Sequence, residues 1–392
     1  MINITKLLFN DTKQNKYTSL KGRLPADIYS ILPDTLFFDI ETTGLSARNS
    51  MCYLIGAAYL EDGLWHYTQW FADNPNDEGM LLTAFFKTIS KFRYLIHFNG
   101  ESFDIPFILQ RSRLLGLPFS FYLSSKPDTG SASGSTPLPI SIDLFKRTKK
   151  MKKALKLADT KQKTIENFLK TGRTDKYSGG ELISVYRDYV IKKDDASKEL
   201  LLLHNHDDIA GLIEILPVLC YEAVFSKKIE AIDDIEINTP TGFDGSTVKE
   251  LLISASLPFD VPVRISLEKE YYYMVIYGSK LKIKIPFINQ ELKYFYPNYK
   301  DYYYLPDEDT AIYKSVASYV DKTHRQPARA DNCYTRKAGE FLPQPEQIIT
   351  PALKMNYKDI CSYFEAGDNF IKRRDLQLQY TNTIIKHLIT SK

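Results

Sequence analysis

Thr35-Leu36-Phe37-Phe38-Asp39-Ile40-Glu41, followed by Thr42-Thr43-Gly44, is the stretch that decides how this chain is read. A short apolar run bounded by turn residues is a buried strand, here Thr35–Ile40. Side chains alternate along a strand, so Asp39 and Glu41 share one face while Ile40 points the other way. Two carboxylates that close repel each other, and beside so apolar a strand they are costly unless a cation sits between them. A solvent-facing strand end is the plain alternative, and the three apolar residues before Asp39 weigh against it. Thr42-Thr43-Gly44 suits a turn that lets a bound molecule approach the backbone.

Reading outward, Cys52–Leu60 and Leu64–Phe71 are two further strands, with Glu61-Asp62-Gly63 as a tight hairpin turn. Asp77 to Arg93 has helical periodicity, with Met80, Leu81, Ala84, Phe85 and Ile89 on one side. Tyr94–Phe98 is a short strand broken by Asn99-Gly100, and Phe103 to Leu115 is helical, Pro106 being tolerated in the first turn. Ser124 to Pro139, rich in Ser, Gly, Pro and Thr, is expected to be a mobile surface loop. Ile140–Phe145 is a strand, and Glu181–Lys193 and Lys198–Phe225 are helices. That order describes a mixed α/β sheet with an antiparallel start.

Two more acidic elements lie on these segments. Asn99-Gly100-Glu101-Ser102-Phe103-Asp104 follows a strand and opens a helix, so Asp104 projects from the first helical turn. Simple capping at a favourable helix terminus accounts for Asp104 taken alone. Glu101 reads as an exposed loop charge. In His204-Asn205-His206-Asp207-Asp208, His204 and Asp208 are four apart and stand one above the other on a helix. A His one turn before an Asp, between apolar residues, is a better catalytic candidate than a lone His. His206 and Asp207 point elsewhere and read as structural or exposed.

Together the three elements resemble the DEDD superfamily of 3′–5′ exonucleases, relatives of ribonuclease H. That family's first motif, Asp-x-Glu, is matched by Asp39 and Glu41, and its second by Asn99, Phe103 and Asp104. The third motif has the spacing of the tyrosine subclass, yet His204 stands where that subclass has tyrosine. The closer resemblance is to bacterial YprB-type ribonuclease-H-like proteins, whose third motif reads His-Asn-x-x-Asp. Asp143-Leu144, Arg173-Thr174-Asp175, Gly179-Gly180 and the helix with Tyr186 and Tyr189 look like that family's middle section.

The resemblance implies a ribonuclease-H-like mixed sheet flanked by helices over residues 35–225. It implies two Mg²⁺ or Mn²⁺ ions on Asp39, Glu41, Asp104 and Asp208, with His204 orienting or deprotonating water. It also implies a nucleic-acid substrate, DNA or RNA, with a single-stranded end. Asp143 is a candidate for the shell outside the ligands. A structure-selective endonuclease and an inactive nucleic-acid-binding protein are the alternatives, with another phosphoesterase a lesser one.

Residues 1–34 are expected to be an N-terminal extension and 226–262 a linker with a helix from Ser246 to Ser256. Residues 263–392 are expected to form a Tyr-rich α+β region with a helical tail from Tyr357 to Ile389. A net charge of +3 decides little, but Lys146 to Lys176 holds twelve Lys or Arg against Asp159, Glu166 and Asp175. Such an excess suits a phosphate backbone, although a solvated helix face would look the same. Ten tyrosines between Arg264 and Tyr304 are interleaved with lysines, a pattern that can stack bases or simply build a sheet. Ser279–Ile285 and Leu292–Tyr296 look like strands within it. Cys52, Cys220, Cys333 and Cys361 are far apart, which suits a reducing cytoplasm and argues against structural zinc. Met1–Asn10 lacks a small-residue cleavage site and is not read as a signal peptide. The apolar runs Leu200–Leu203 and Ile209–Leu219 are too short for a membrane span, and no membrane partner is expected.

Overall fold

The computed structural model describes residues 1–9, 16–118, 121–122, 136–137, 139–171, 179–226, 229–241 and 247–390. The chain divides into two compact units, Met1–Ala223 with Pro258–Val263, and Val224–Leu257 with Arg264–Lys392.

The first unit is built on a six-stranded mixed sheet. Its strands are β1 (Ile2–Leu7), β2 (Thr35–Thr42), β3 (Cys52–Glu61), β4 (Leu64–Phe71), β5 (Tyr94–His97) and β6 (Ile140–Asp143), in the spatial order β1-β4-β3-β2-β5-β6. β2 runs antiparallel to β3 and parallel to β5, which is parallel to β6. The antiparallel start read from the sequence is therefore present. Asp62 and Gly63 both take positive φ, 52° and 75°, as the two-residue hairpin between β3 and β4 demands. β1 pairs with β4 from Ile2↔Phe71 to Leu7↔His66, an edge strand that no sequence pattern announced.

Leu36, Phe37 and Phe38 are fully buried, so β2 has core on both faces. Helix α1 (Glu78–Ile89) buries Leu81, Leu82, Phe85, Phe86 and Ile89, and Phe85 packs 5.3 Å from Phe38. Helices α2 (Asp104–Leu114), α3 (Leu144–Met151), α4 (Gln162–Leu169), α5 (Gly179–Lys192) and α6 (Asp195–Glu214) follow, then α7 (Leu219–Ser226). The mixed sheet flanked by helices is a ribonuclease-H-like fold.

The helix read as Lys198–Phe225 is two helices, α6 and α7, parted by a 3₁₀ turn at Leu216-Pro217-Val218, because Pro217 has no N–H to continue the ladder. By length and composition, Asp195–Ser226 is long and apolar enough to cross a membrane, contrary to the reading of short runs; 67% of its most apolar window is buried, as in a core helix. Most of the Ser124–Pro139 loop and the Arg173-Thr174-Asp175 stretch lie outside the described residues.

The second unit is rich in strands. One sheet orders Tyr272–Pro286, Glu250–Lys269 and Asp234–Asn238, the middle strand's residues 258–263 being counted with the first unit. Of the helix expected over Ser246–Ser256, Glu250–Ser256 is instead the start of that long strand, and Ser246 lies outside the described residues. Leu251, Ile253, Ala255 and Leu257 are buried with half-exposed residues between, a period of two rather than 3.6. A second sheet orders Ile288–Phe295, Tyr334–Gln344 and Ser362–Phe364. The strand read at Ser279–Ile285 is the latter half of the longer strand Tyr272–Pro286, and that read at Leu292–Tyr296 falls on Ile288–Phe295.

The tail is not one helix from Tyr357. Ser362–Phe364 pairs with Leu342–Gln344, and only Arg374–Ile389 forms the long terminal helix. Some of the tyrosines pack on one another within this unit: Tyr296 stacks on Tyr302 at 4.6 Å, and Tyr302 meets Tyr313 edge-on at 5.3 Å.

Candidate metal and nucleic-acid site

Three elements of the first unit deliver the acidic residues. β2 carries Asp39 and Glu41 near its end, α2 opens with Asp104, and α6 carries His204 and Asp208. α2 is anchored two turns beyond Asp104. There Arg111 forks onto the buried Glu78 carboxylate through Nε (2.9 Å) and Nη2 (2.6 Å), and donates from Nη1 to the Ala47 carbonyl at 2.9 Å. Glu78 also accepts the Cys52 backbone N–H at 2.8 Å, which ties α1 and α2 to β3.

Glu41, His204 and Asp208 come together, each offering a ligand atom within 4.8 Å of the others. His204 Nε2 lies 3.2 Å from Asp208 Oδ2 and 3.5 Å from Glu41 Oε1. Asp39 and Asp104 fall outside that tight trio, but charges of the trio act on them. Burial pushes Asp39 well above the carboxylate range, and the charges of Asp208, Asp104 and Glu41 push it further. Asp104 is pushed up to about 7, first by burial, against the pull of backbone N–H groups, with Asp143 and Asp208 adding repulsion. A cation placed among these groups would relieve both strains, since an opposite charge favours the ionised form.

Asp143 behaves as more than a distant neighbour. Its Oδ1 caps α3 by accepting from Phe145 (3.0 Å) and Lys146 (3.3 Å), and accepts from Asn99 at 2.9 Å, while the buried Oδ2 makes no hydrogen bond. Asn99 itself sits at φ 62°, a conformation asparagine tolerates. Glu101 departs from its sequence reading as an exposed loop charge: it is half-buried, accepting from Ser141 Oγ at 2.6 Å and from Lys146 Nζ. His97, buried behind this loop, accepts the Gly100 N–H on Nδ1 at 3.0 Å and contacts Ser141 Oγ through Nε2 at 2.8 Å. Burial holds its pKa down at about 4, so the ring stays neutral at pH 7.

Residues 36–220 match the RNase_H_2 family model of the RNase_H superfamily. The matched region holds all five candidate side chains, Asp39, Glu41, Asp104, His204 and Asp208, and stops short of the second unit's sheets. A family B DNA polymerase from the hyperthermophilic archaeon Pyrobaculum calidifontis is a structural neighbour at 16% identity and TM-score 0.36, over 47% of this chain and 24% of that one. The present chain thus spans about a quarter of the polymerase's length. No curated protein matches it.

Sequence reasoning missed His97 and Ser141 as neighbours of the site, and held Asn205 only as the second residue of the His-Asn-x-x-Asp motif, without a role. Asn205 donates from Nδ2 to Asp39 Oδ2 at 3.2 Å. It stands three residues before Asp208, a spacing that puts the two on neighbouring positions of one helix face. His206 and Asp207 are set apart as expected, the His206 ring meeting Tyr67 edge-on at 5.1 Å.

Proposed function

We propose that this chain is a divalent-metal-dependent nuclease, a 3′–5′ exonuclease acting on DNA or RNA with a single-stranded end. The observation that carries the reading is the meeting of Glu41, His204 and Asp208 within 4.8 Å, beside two carboxylates that burial and like charge drive towards protonation. Asp39, Glu41, Asp104 and Asp208 are the proposed cation ligands. Oxygen donors of this kind suit Mg²⁺ or Mn²⁺, and imidazole is not the preferred partner of either. His204 is therefore assigned to the water rather than to the metal, orienting it or taking its proton. Two such ions, when bound, neutralise the phosphodiester and lower the pKa of the attacking water.

The strand is proposed to run along α3 and the turn after it, where Lys146, Lys149, Lys150, Lys152, Lys153 and Lys156 are exposed. Lysines hold phosphates without reading bases, which fits an enzyme indifferent to sequence. All four cysteines are unpaired, which supports a reducing compartment such as the cytoplasm.

The test is incubation of the purified chain with end-labelled single- and double-stranded DNA and RNA in Mg²⁺ or Mn²⁺. Stepwise shortening from the 3′ end is expected, abolished by EDTA. Cleavage of a circular single strand would replace the exonuclease reading with an endonuclease, and no cleavage of any substrate would refute both.

A further inference from the structure

Asp39, Gly56 and Gln69 form one row across the sheet: Asp39 pairs with Gly56 between β2 and β3, and Gly56 pairs with Gln69 between β3 and β4. Directly paired residues project to the same face, so Asp39 and Gln69 flank a position that has no side chain. α6 fills the gap with Asn205. A Cβ on Gly56 would lie 2.1 Å from Asn205 Oδ1, so the helix reaches this depth only because residue 56 is glycine.

The hydrogen bonds here have a direction set from outside the site. Gln69 Nε2 donates to the Leu202 carbonyl at 2.8 Å, and a carbonyl can only accept. The same Nε2 donates to Asn205 Oδ1 at 3.1 Å, which turns the Asn205 amide so that Nδ2 faces Asp39 Oδ2 at 3.2 Å. Gln69 and Asn205 are both buried, so neither amide can turn to solvent instead.

We infer that Asn205 and Gln69 are positioning residues for cation binding, aiming the Asp39 carboxylate from behind by a hydrogen-bond relay anchored on the Leu202 carbonyl. The inference rests on the metal reading above. Partners behind a ligand fix its orientation, and losing one costs about ten- to a hundredfold in metal affinity. A merely structural Asn205 would instead serve the packing of α6 on Gly56.

Asn205→Leu separates the two, because leucine keeps the volume and removes both hydrogen bonds. Mn²⁺ binding to the full-length chain, followed by electron paramagnetic resonance, is expected to weaken about tenfold in Asn205→Leu. In an Asp39→Asn background the same change should have no further effect. Unchanged affinity in the single variant, or fully additive losses in the double variant, would overturn the inference. Gln69→Met supplies the same comparison if Asn205→Leu does not fold: weaker Mn²⁺ binding at an unchanged metal-free melting temperature supports the relay, and unchanged binding overturns it. A parent chain that binds no Mn²⁺ overturns the metal reading and this inference together, whereas a failure confined to the variants leaves that reading standing.

Discussion

His204 Nε2 stands 3.2 Å from Asp208 Oδ2, one helical turn along α6, and 3.5 Å from Glu41 Oε1 on β2. The role proposed for His204 is to orient a water or take its proton. His204→Ala is expected to lower the rate of metal-dependent hydrolysis by about a hundredfold or more, the usual contribution of a positioned base. Asp39→Ala or Asp208→Ala should abolish it. Circular dichroism should show each variant folded. An unchanged rate in His204→Ala would assign the proton to another group.

Asp104 makes the metal-free chain sensitive to pH. Its pKa is raised from 3.8 to about 7 in the fold, so the folded state binds the proton more tightly than the unfolded one. Stability contributed by the protonated form is therefore present at low pH and is lost as pH rises from about 4 through about 7. His97, held down at about 4, slopes the other way below pH 6.5, so the comparison must be with a variant. Asp104→Asn in EDTA should match the parent near pH 4 and exceed it by about 4 kcal/mol at pH 8, at about 1.4 kcal/mol per pKa unit. Urea melts across that range measure the difference.

Gly56→Ala tests the slot beneath α6. The new methyl would meet Asn205 Oδ1 at 2.1 Å and Ile209 Cγ1 at 3.0 Å, so the buried Asn205 side chain has to shift. A loss of about 1–3 kcal/mol in urea unfolding is expected from overpacking.

Much of this arrangement was legible in the sequence alone. The apolar run Leu36–Phe38 ending in Asp39 and Glu41 placed the central strand, and the Asp62-Gly63 turn placed the hairpin beside it. Local patterns carry such information because turn chemistry and burial act on neighbours in the chain. The four-residue spacing of His204 and Asp208 placed them on one face for the same reason. Gln69 was not legible as a partner of the site, since its role depends on strand register and on a glycine one strand away. Ser246–Ser256 misled because Leu251, Leu252, Ile253 and Ala255 fit a helical face as well as a strand, and pairing with Asp234–Asn238 decided the matter. Short apolar stretches leave that choice to tertiary packing.

Arg111 of α2, itself half-buried, pairs with Glu78 of α1, which is only 3% exposed. Arg111→Leu leaves that carboxylate without its cation and should destabilise the chain by about 3–5 kcal/mol. Adding Glu78→Gln to it should restore part of the loss, as thermal unfolding of the single and double variants would show.

The exposed lysines after α3 should govern affinity for a single strand rather than its chemistry. Lys152→Ala with Lys153→Ala is expected to weaken binding of a labelled oligonucleotide in EDTA. The slope of log K against log salt should also flatten, by about 0.7 for each phosphate that a lysine no longer neutralises. Fluorescence anisotropy at several salt concentrations reads both quantities, and an unaltered slope would place the strand elsewhere.

Anomalous diffraction from crystals soaked in Mn²⁺ tests the central claim most directly. Manganese peaks within bonding distance of the Asp39, Glu41, Asp104 and Asp208 carboxylates are the expected result. Soaked crystals that bind manganese elsewhere, or leave those four carboxylates without a peak, would contradict it.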